Sequence, residues 1–209
     1  MKLYLIVDAD ICDVVAVAAA ASSAGADFIQ LRYPTATDVE YTGLAQKVMA
    51  AIAGTDAKFI VGERPHLVPP LGAAGVHIGE KYRDIQTARE EIGAGPILGV
   101  SQFTPQFIAE NLGEDFPVDY LSVGPVWTTV SKADAGDAIG VGEAVTRTLA
   151  NPYHSALIGG ITAVNVHELA RPLASLPRRF PAPMVVVLGE VCRAADPAAA
   201  VRALKAALA

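Results

Sequence analysis

The sequence predicts an α/β fold in which eight parallel strands close into a single (β/α)8 TIM barrel. Short apolar runs rich in β-branched residues recur along the chain, and segments of helical composition separate them up to the C-terminus. The runs are apolar almost throughout, which is typical of parallel strands buried on both faces beneath helices. A doubly wound open sheet is the alternative, but it usually has fewer strands, and no GxGxxG follows the first run.

The predicted strands are short runs that begin or end at glycine, proline or a charged residue. In chain order they are KLYLIVD from residue 2, DFIQLR from 27, KFIVGE from 58, AGVHIG from 74, PILGVS from 96, VDYLSVG from 118, SALIGG from 155 and PMVVVLG from 183. Their apolar content predicts a barrel wall that is buried on both sides.

Helices are predicted between the strands, and several of them begin at a capping residue. Thr37 precedes the second helix, Thr104-Pro105 places proline in the first turn of another, and Thr162 precedes the helix after the seventh strand. The predicted helices span 14–24, 38–53, 85–92, 105–112, 142–149, 164–174 and 197–208. A chain of 209 residues is long enough for one domain over 1–209 with a full hydrophobic core.

Composition and charge exclude several classes of function. Hydrophobic residues make up 52% of the chain, but no window offers the roughly 18 unbroken apolar residues of a membrane span. The first apolar run meets Asp8 and Asp10 too early for a signal peptide, so we expect a cytoplasmic protein. A net charge of -6 with scattered basic residues argues against nucleic-acid binding. Cys12 and Cys192 lack metal-ligand spacing, and we expect small buried side chains.

Barrel enzymes place their catalytic residues at the carboxyl ends of the strands, so the residues where the predicted strands stop are the site candidates. They are Asp8, Gln30, Arg32, Glu63, Arg64, His77, Ser101, the segment 124–132, Gly159, Gly160 and Gly189. Thr129, Ser131 and Lys132 are the most informative, because hydroxyls and a compact ammonium suit a loop that binds an anion. An ordinary polar loop is the alternative interpretation.

Six segments, taken in order, match a known family over nearly the whole chain. They are LYLIVD, FIQLR, GVHIG, GVSQFTP, DYLSVGPVWTTVSKADA and IGGIT. The set resembles thiamine phosphate synthase and the related thiazole tautomerases; IGGIT alone is common among phosphate-binding barrels, whereas the ordered set around GPVWTTVSK is specific. The resemblance implies an enzyme that joins hydroxymethylpyrimidine diphosphate to thiazole phosphate and releases diphosphate. Its partner would be a small phosphorylated heterocycle.

The resemblance also implies roles for particular residues. Catalytic roles fall on Arg32, Ser101 and Lys132. Roles in binding the substrates and their phosphate groups fall on Gln30, Thr129, Ser131, Gly159, Gly160, Leu188 and Gly189. The glycines would act through main-chain amides, assisted by the positive end of the helix after Thr162, although Gly-Gly after a strand is also common turn chemistry. Further candidates are Glu63, Arg64, His66 and His77, of which His77 also fits a structural role under the barrel mouth.

The chain departs from the family pattern at its expected cation and metal positions. Pro34 stands where a phosphate-binding lysine is expected. The resemblance implies Mg²⁺ held by two aspartates, and these positions hold His66 and Tyr82. Imidazole and phenol are poor ligands for this hard cation, so we predict weak or absent magnesium binding. Glu63 and Asp84 are the nearby carboxylates that could compensate.

Three functions stay open from the sequence. The first is thiamine phosphate synthase chemistry, which the ordered motifs favour. The second is a metal-independent tautomerase or isomerase; the family's proton-transfer histidine falls at Pro125, which leaves His66 as a candidate base. The third is a non-catalytic binder of a phosphorylated heterocycle. A homo-oligomer is compatible with the sequence, and fold alone does not choose among these functions.

Overall fold

The computed structural model describes residues 1–79, 84–101, 117–132, 135–174 and 183–209. Within these residues, eight parallel strands form a closed barrel in which each strand pairs with the next and β8 pairs with β1. The strands are β1 Lys2–Asp8, β2 Phe28–Arg32, β3 Lys58–Gly62, β4 Gly75–Ile78, β5 Ile97–Val100, β6 Tyr120–Val123, β7 His154–Ile158 and β8 Met184–Val187. The predicted TIM barrel is confirmed; seven of the eight predicted runs contain their strand, and β7 begins one residue before its run, at His154.

Helices follow most of the strands and cover the barrel. They are α1 Val14–Ser23, α2 Asp38–Ile52, α3 Val68–Leu71, α4 Ile85–Ile92, α5 Gly140–Ala150, α6 Val166–Ala174, α7 Gly189–Cys192 and α8 Pro197–Ala207, with a 3₁₀ turn at Pro65–Leu67. The six longer helices agree with the predictions to within two residues at each end. The one-turn helices α3 and α7 were not predicted, because four residues carry too little periodicity. The helix predicted over 105–112 lies outside the described residues.

Successive side chains of each strand point alternately to the helices and to the barrel interior. On β1, Leu3 and Leu5 belong to the large core between the barrel and its helices. Tyr4 and Ile6 belong to a second buried cluster inside the barrel, which includes Tyr120 of β6. The interior is therefore a packed core rather than a channel, and space for a ligand remains at its end.

Local side-chain bonds fix where the helices begin. Thr37 caps α2, as the sequence predicted, and forms a reciprocal capping box with Glu40. Thr162 and Asn165 make the equivalent pair of bonds before α6, with distances of 2.8 and 3.3 Å. These caps determine how the chain leaves the mouth of the barrel after β2 and β7.

Two further expectations from composition concern membrane-spanning helices and the two cysteines. Among the described residues, none of the helices is long and apolar enough to cross a membrane. Cys12 and Cys192 are free thiols that donate to main-chain carbonyls of Asp8 and Ile6 at the end of β1, and Cys192 is buried.

Candidate active site

A cavity of about 480 Å³ opens at the carboxyl ends of the strands. Ten of the predicted site residues line it, namely Arg32, His77, Ser101, Thr129, Ser131, Lys132, Gly159, Gly160, Leu188 and Gly189. Gln30 is buried in the barrel interior and does not line the cavity. Glu63, Arg64 and His66 lie outside its lining as well. The fold thus brings together most residues that the sequence singled out, and it leaves out those after β3.

The segment after β6 is held to the end of β7 by main-chain bonds. The amide of Val126 donates to the carbonyl of Ile158 at 2.9 Å, and the amide of Trp127 donates to the carbonyl of Gly159 at 3.0 Å. Val126 is completely buried, which anchors the segment in the core. Residues 128–132 follow this anchor directly and line the cavity. The hydroxyls and the lysine of these residues therefore extend over the mouth from a segment that is anchored in the core.

Gly159 and Gly160 are required by both conformation and packing. Their φ angles are 105° and 62°, a region that side chains with a Cβ rarely adopt. A Cβ on Gly160 would lie 2.6 Å from the carbonyl oxygen of Thr128, and one on Gly159 would collide with Pro125. The two glycines therefore allow the segment after β6 to pack tightly on the end of β7. The same close packing brings their main chain to the cavity wall.

Gly189 occupies the equivalent place after β8 and makes room for two polar side chains. A Cβ there would lie 2.9 Å from Ser131 Oγ and 2.6 Å from Arg193 Nη1. Arg193 Nη1 itself donates to Ser131 Oγ at 3.4 Å. The absence of a side chain at Gly189 therefore lets the loop after β6 and an arginine of the next turn meet across the end of β8.

A carboxylate also lines this part of the cavity. Glu190 Oε1 accepts a hydrogen bond of 3.0 Å from the amide of Ala163, in the turn that precedes α6. From the sequence, the positive end of this helix is expected to assist phosphate binding. In the structure Glu190 already uses one of the amides there, so an anion in the cavity depends on the remaining donors.

A chain of hydrogen bonds crosses the barrel interior below the cavity. Tyr4 donates its hydroxyl hydrogen to Gln30 Oε1 at 2.8 Å. Since Tyr4 has no second hydrogen, Tyr120 must be the donor across the 3.0 Å between the two hydroxyl oxygens. The oxygen of Tyr120 then accepts from His77 Nδ1 at 2.9 Å. This donor order determines which nitrogen of His77 carries its hydrogen.

His77 connects the interior chain to the cavity. With its hydrogen on Nδ1, its Nε2 accepts from Ser101 Oγ at 2.9 Å. Burial, and to a smaller extent the positive charge of Lys132, lowers the pKa of His77 from 6.5 to about 4, so the ring is neutral near pH 7. Ser101 therefore directs its hydrogen towards His77 and presents its lone pairs to the cavity, where they can accept from a donor on a ligand.

Several cations around the mouth are already paired with carboxylates. Arg32 Nη1 lies 2.6 Å from Asp8 Oδ2, and Asp8 is only 1% exposed. Arg147, which lines the cavity from α5, lies 2.7 Å from Glu143 one helical turn away. The positive charge of Arg32 is thus shared with a buried aspartate, which reduces what it can offer to an anion.

The residues after β3 form a separate cluster on the outside of the mouth. Arg64 Nε lies 3.1 Å from Asp38 Oδ1 and its guanidinium lies over the Tyr41 ring, 4.5 Å from the centroid. His66 Nε2 lies 2.8 Å from Asp38 Oδ2. The hydrogen bond to His66, assisted by Arg64, lowers the pKa of Asp38. This cluster ties the turn after β3 to the start of α2, and His66 does not face the cavity as a base would.

Comparison with known proteins identifies the family. A family model described as thiamine monophosphate synthase matches residues 3–175. The chain belongs to this family. The thiamine-phosphate synthase of Xanthobacter autotrophicus is 34% identical over 190 residues, which cover 90% of this chain and 85% of that protein. The thiamine-phosphate synthase of Salinispora tropica is 35% identical over 173 residues, covering 83% of this chain and 78% of that protein.

Solved structures agree with membership of the thiamine monophosphate synthase family. The thiamine phosphate pyrophosphorylase of Pyrococcus furiosus superposes with a TM-score of 0.84 at 26% identity, covering 99% of this chain and 95% of that chain. The 3-hexulose-6-phosphate synthase of Salmonella typhimurium has a TM-score of 0.67 at 18% identity, covering 100% and 98%, which shows a shared fold. The resemblance stated from the sequence is confirmed.

The family's magnesium is not matched by the carboxylates that this chain places near the mouth. Glu63 Oε2 accepts from the amide of Gly79 at 3.1 Å, and Asp84 caps α4 by accepting from the amide of Thr87 at 2.9 Å. Among the residues that the structure describes, no three His, Cys, Asp or Glu side chains lie close enough to hold a metal ion. The described residues therefore do not fit Mg²⁺; Tyr82 lies outside the described part of the chain.

Some residues of the site were missed by the sequence analysis. Tyr4 lies within β1 and Tyr120 begins β6; in such apolar runs a tyrosine is expected to be a core residue, and only the closed barrel brings the two hydroxyls together. Glu190 and Arg193 follow Gly189 within one turn of α7. Glu190 and Arg193 are missed when only the last residue of each strand is considered. The spacing of four residues between Gly189 and Arg193 is a usable signal once a helix is recognised there.

Proposed function

We propose that this member of the thiamine monophosphate synthase family joins hydroxymethylpyrimidine diphosphate to thiazole phosphate with release of diphosphate. The observation that carries the proposal is that the family match coincides with one cavity lined by Ser101, Lys132 and Gly159 from three different strand ends. A cavity that gathers hydroxyls, an ammonium and close-packed glycines suits two phosphorylated substrates.

Departure of the diphosphate requires stabilisation of the negative charge on its oxygens. Thr129 and Ser131 supply hydroxyl donors, and Lys132 supplies a compact positive charge on the same five-residue segment. Arg32 faces the same cavity, but its charge is shared with Asp8. In our proposal the segment after β6 therefore provides most of the stabilisation of the negative charge on the departing diphosphate.

The pyrimidine is proposed to lie against Ser101. Its exocyclic amine would donate to the Ser101 lone pairs, which His77 keeps available by accepting the serine hydrogen. Ionisation leaves a pyrimidine cation that the thiazole nitrogen must capture before water does. Ile6, Ile158 and Val186 give this cavity an apolar inner wall, which supports exclusion of water from that step.

A condensation assay with both substrates tests the proposal directly. Thiamine phosphate and diphosphate should appear in equal amounts, and neither should form when one substrate is omitted. The assay should be run with magnesium and with a chelator, since the described carboxylates Glu63 and Asp84 are bound by main-chain amides. Binding of both substrates without any product would instead favour the non-catalytic binder and would contradict the proposed reaction.

A further inference from the structure

Arg193 follows β8 and lies close to the cavity wall, although no motif points to it. It follows the one-turn helix α7, four residues after Gly189, which places both on the same helical face. Its Nη1 donates to Ser131 Oγ at 3.4 Å and lies 2.6 Å from the position a Cβ on Gly189 would take. The guanidinium is therefore directly beside two residues that line the cavity.

Three arginines at or near the barrel mouth are paired with carboxylates. Arg32 pairs with Asp8, Arg147 with Glu143, and Arg64 with Asp38. Within the described ranges, the ion pairs include none between Arg193 and a carboxylate. A guanidinium presents five donors in a fork that matches phosphate oxygens, so an arginine with this placement can still bind an anion.

A negative charge near the end of β8 favours a cation beside it when an anion binds. Glu190 brings a carboxylate to the cavity wall and uses the Ala163 amide, and Pro34 stands where the sequence analysis expected a phosphate-binding lysine. A phosphate monoester bound near Gly159 and Gly189 would meet this negative charge. Arg193 lies near the end of β8, where it can supply a compensating positive charge in addition to that of Lys132.

We propose that Arg193 binds the phosphate of the thiazole substrate and thereby makes the site select the phosphorylated thiazole over the thiazole alcohol. The proposal rests on the proposed function for the identity of the substrate. In the structure the Ser131 hydroxyl accepts from Arg193. On binding, phosphate oxygens take the place of the serine oxygen and receive charge-assisted hydrogen bonds from the guanidinium.

The test compares Arg193→Gln with Arg193→Lys and with the control Arg202→Gln. Arg202 is an exposed arginine on α8, 3.9 Å from Asp196, and it lies outside the cavity lining. Arg193→Gln should raise the KM for thiazole phosphate about tenfold, which corresponds to about 1.4 kcal/mol, with kcat within about twofold. Arg193→Lys should recover part of the loss, because lysine keeps the charge but not the fork. Arg202→Gln should leave both constants unchanged.

Calorimetric binding of thiazole phosphate and of the thiazole alcohol separates this inference from the proposed reaction. Arg193→Gln should weaken the phosphate ester about tenfold and leave the alcohol unchanged, with an unaltered melting temperature. This result would support the Arg193 role even if the wild-type chain formed no thiamine phosphate. An unchanged affinity for the ester, an equal loss for the alcohol, or a loss confined to diphosphate would each overturn the assignment.

Discussion

The two halves of the barrel mouth differ in what their polar groups contact. In the half formed by the segments after β6, β7 and β8, hydroxyls, an ammonium and two tightly packed glycines line the cavity. In the half after β3 and β4, Glu63 is bound by the amide of Gly79, and Asp38 is bound by His66 and Arg64. Groups that are already satisfied by the protein gain little from a ligand. The carboxylates of the second half therefore serve the fold, whereas the first half brings hydroxyls and an ammonium to the cavity.

The second half still contributes one side chain to the cavity. His77 on β4 lines the cavity and is joined through Tyr120 to the buried interior chain. Its neutral ring orients Ser101 on β5, so the two strands meet at a single hydrogen bond. The difference between the halves is thus a difference between direct anion binding and positioning of an uncharged group.

The largest effect in the anion-binding half is expected for Gly159→Ala. The alanine would adopt a φ of 105° and its Cβ would collide with Pro125, so backbone strain and overpacking combine. We expect a loss of about 2 to 4 kcal/mol in the free energy of unfolding, measured by urea denaturation.

Gly54→Ala is the matched control for this substitution. Gly54 has a φ of 84°, and a Cβ there would meet nothing within 4 Å, so only backbone strain remains. We expect it to cost about 1 to 2 kcal/mol. Equal losses in both variants would show that close packing of the segment after β6 on β7 does not contribute, and would contradict our account of this half.

Lys132→Ala should produce the next largest effect, and this effect is on binding rather than on folding. If the lysine neutralises a bound phosphate, affinity for phosphorylated ligands should fall by about 1.5 to 3 kcal/mol, the range of a charge-assisted hydrogen bond. The melting temperature should barely change, because an exposed loop substitution usually alters stability by about half a kcal/mol or less.

Two variants sharpen the lysine prediction. Lys132→Arg should restore binding only in part, because a planar fork does not replace a compact ammonium. Lys47→Ala removes an exposed lysine of α2 and should leave ligand affinity unchanged. An unchanged affinity in Lys132→Ala would remove the main evidence that the half after β6 binds the anion and would restore the interpretation as an ordinary polar loop.

The barrel was predictable from the sequence because parallel strands leave a strong signal. Runs such as KLYLIVD and PMVVVLG are apolar on both faces, and the residues at their ends converge by topology alone. The lining residues Ser101, Lys132 and Gly159 could therefore be named in advance. The caps at Thr37 and Thr162 were predictable for the same kind of local reason.

The rest of the site depends on contacts that distant residues make after folding. The bond between Tyr4 and Tyr120 joins residues 116 positions apart, and the pairing of Arg32 with Asp8 depends on the register of β1 and β2. Sequence showed that Arg32 stands at a strand end but not that its charge is shared. Likewise, the sequence does not show that His66 pairs with Asp38.

A smaller effect is expected from the pH dependence of stability, which reports on His77. Its pKa is about 4 in the folded chain, mainly because of burial, and near 6.5 when unfolded. Protonation therefore favours the unfolded chain as the pH falls below 6.5, and this loss is complete below 4. Between pH 7 and pH 5 we expect a loss of about 1 to 2 kcal/mol in the free energy of unfolding.

His77→Gln should remove this part of the pH dependence, because glutamine does not titrate. His167→Gln, which replaces an exposed histidine of α6, should retain it. Denaturation curves for the three proteins at pH 7 and pH 5 make the comparison. The same pH dependence in His77→Gln as in the wild type would show that the imidazole is not held neutral below the cavity.

The smallest effect is expected for magnesium, and it tests the half after β3 and β4 directly. The carboxylates of Glu63 and Asp84 accept hydrogen bonds from the amides of Gly79 and Thr87, so neither is arranged as an oxygen ligand in the cavity. His66 is bound to Asp38. Calorimetry should show that magnesium changes the affinity for diphosphate by less than about threefold, once formation of the magnesium–diphosphate complex in solution is subtracted.

The double variant His66→Asp with Tyr82→Asp places carboxylates at both family positions and should increase the effect of magnesium on diphosphate affinity. A tight magnesium site in the wild-type chain would mean that Glu63 and Asp84 leave their present partners when diphosphate binds, and the contrast between the two halves would then apply only to the ligand-free protein.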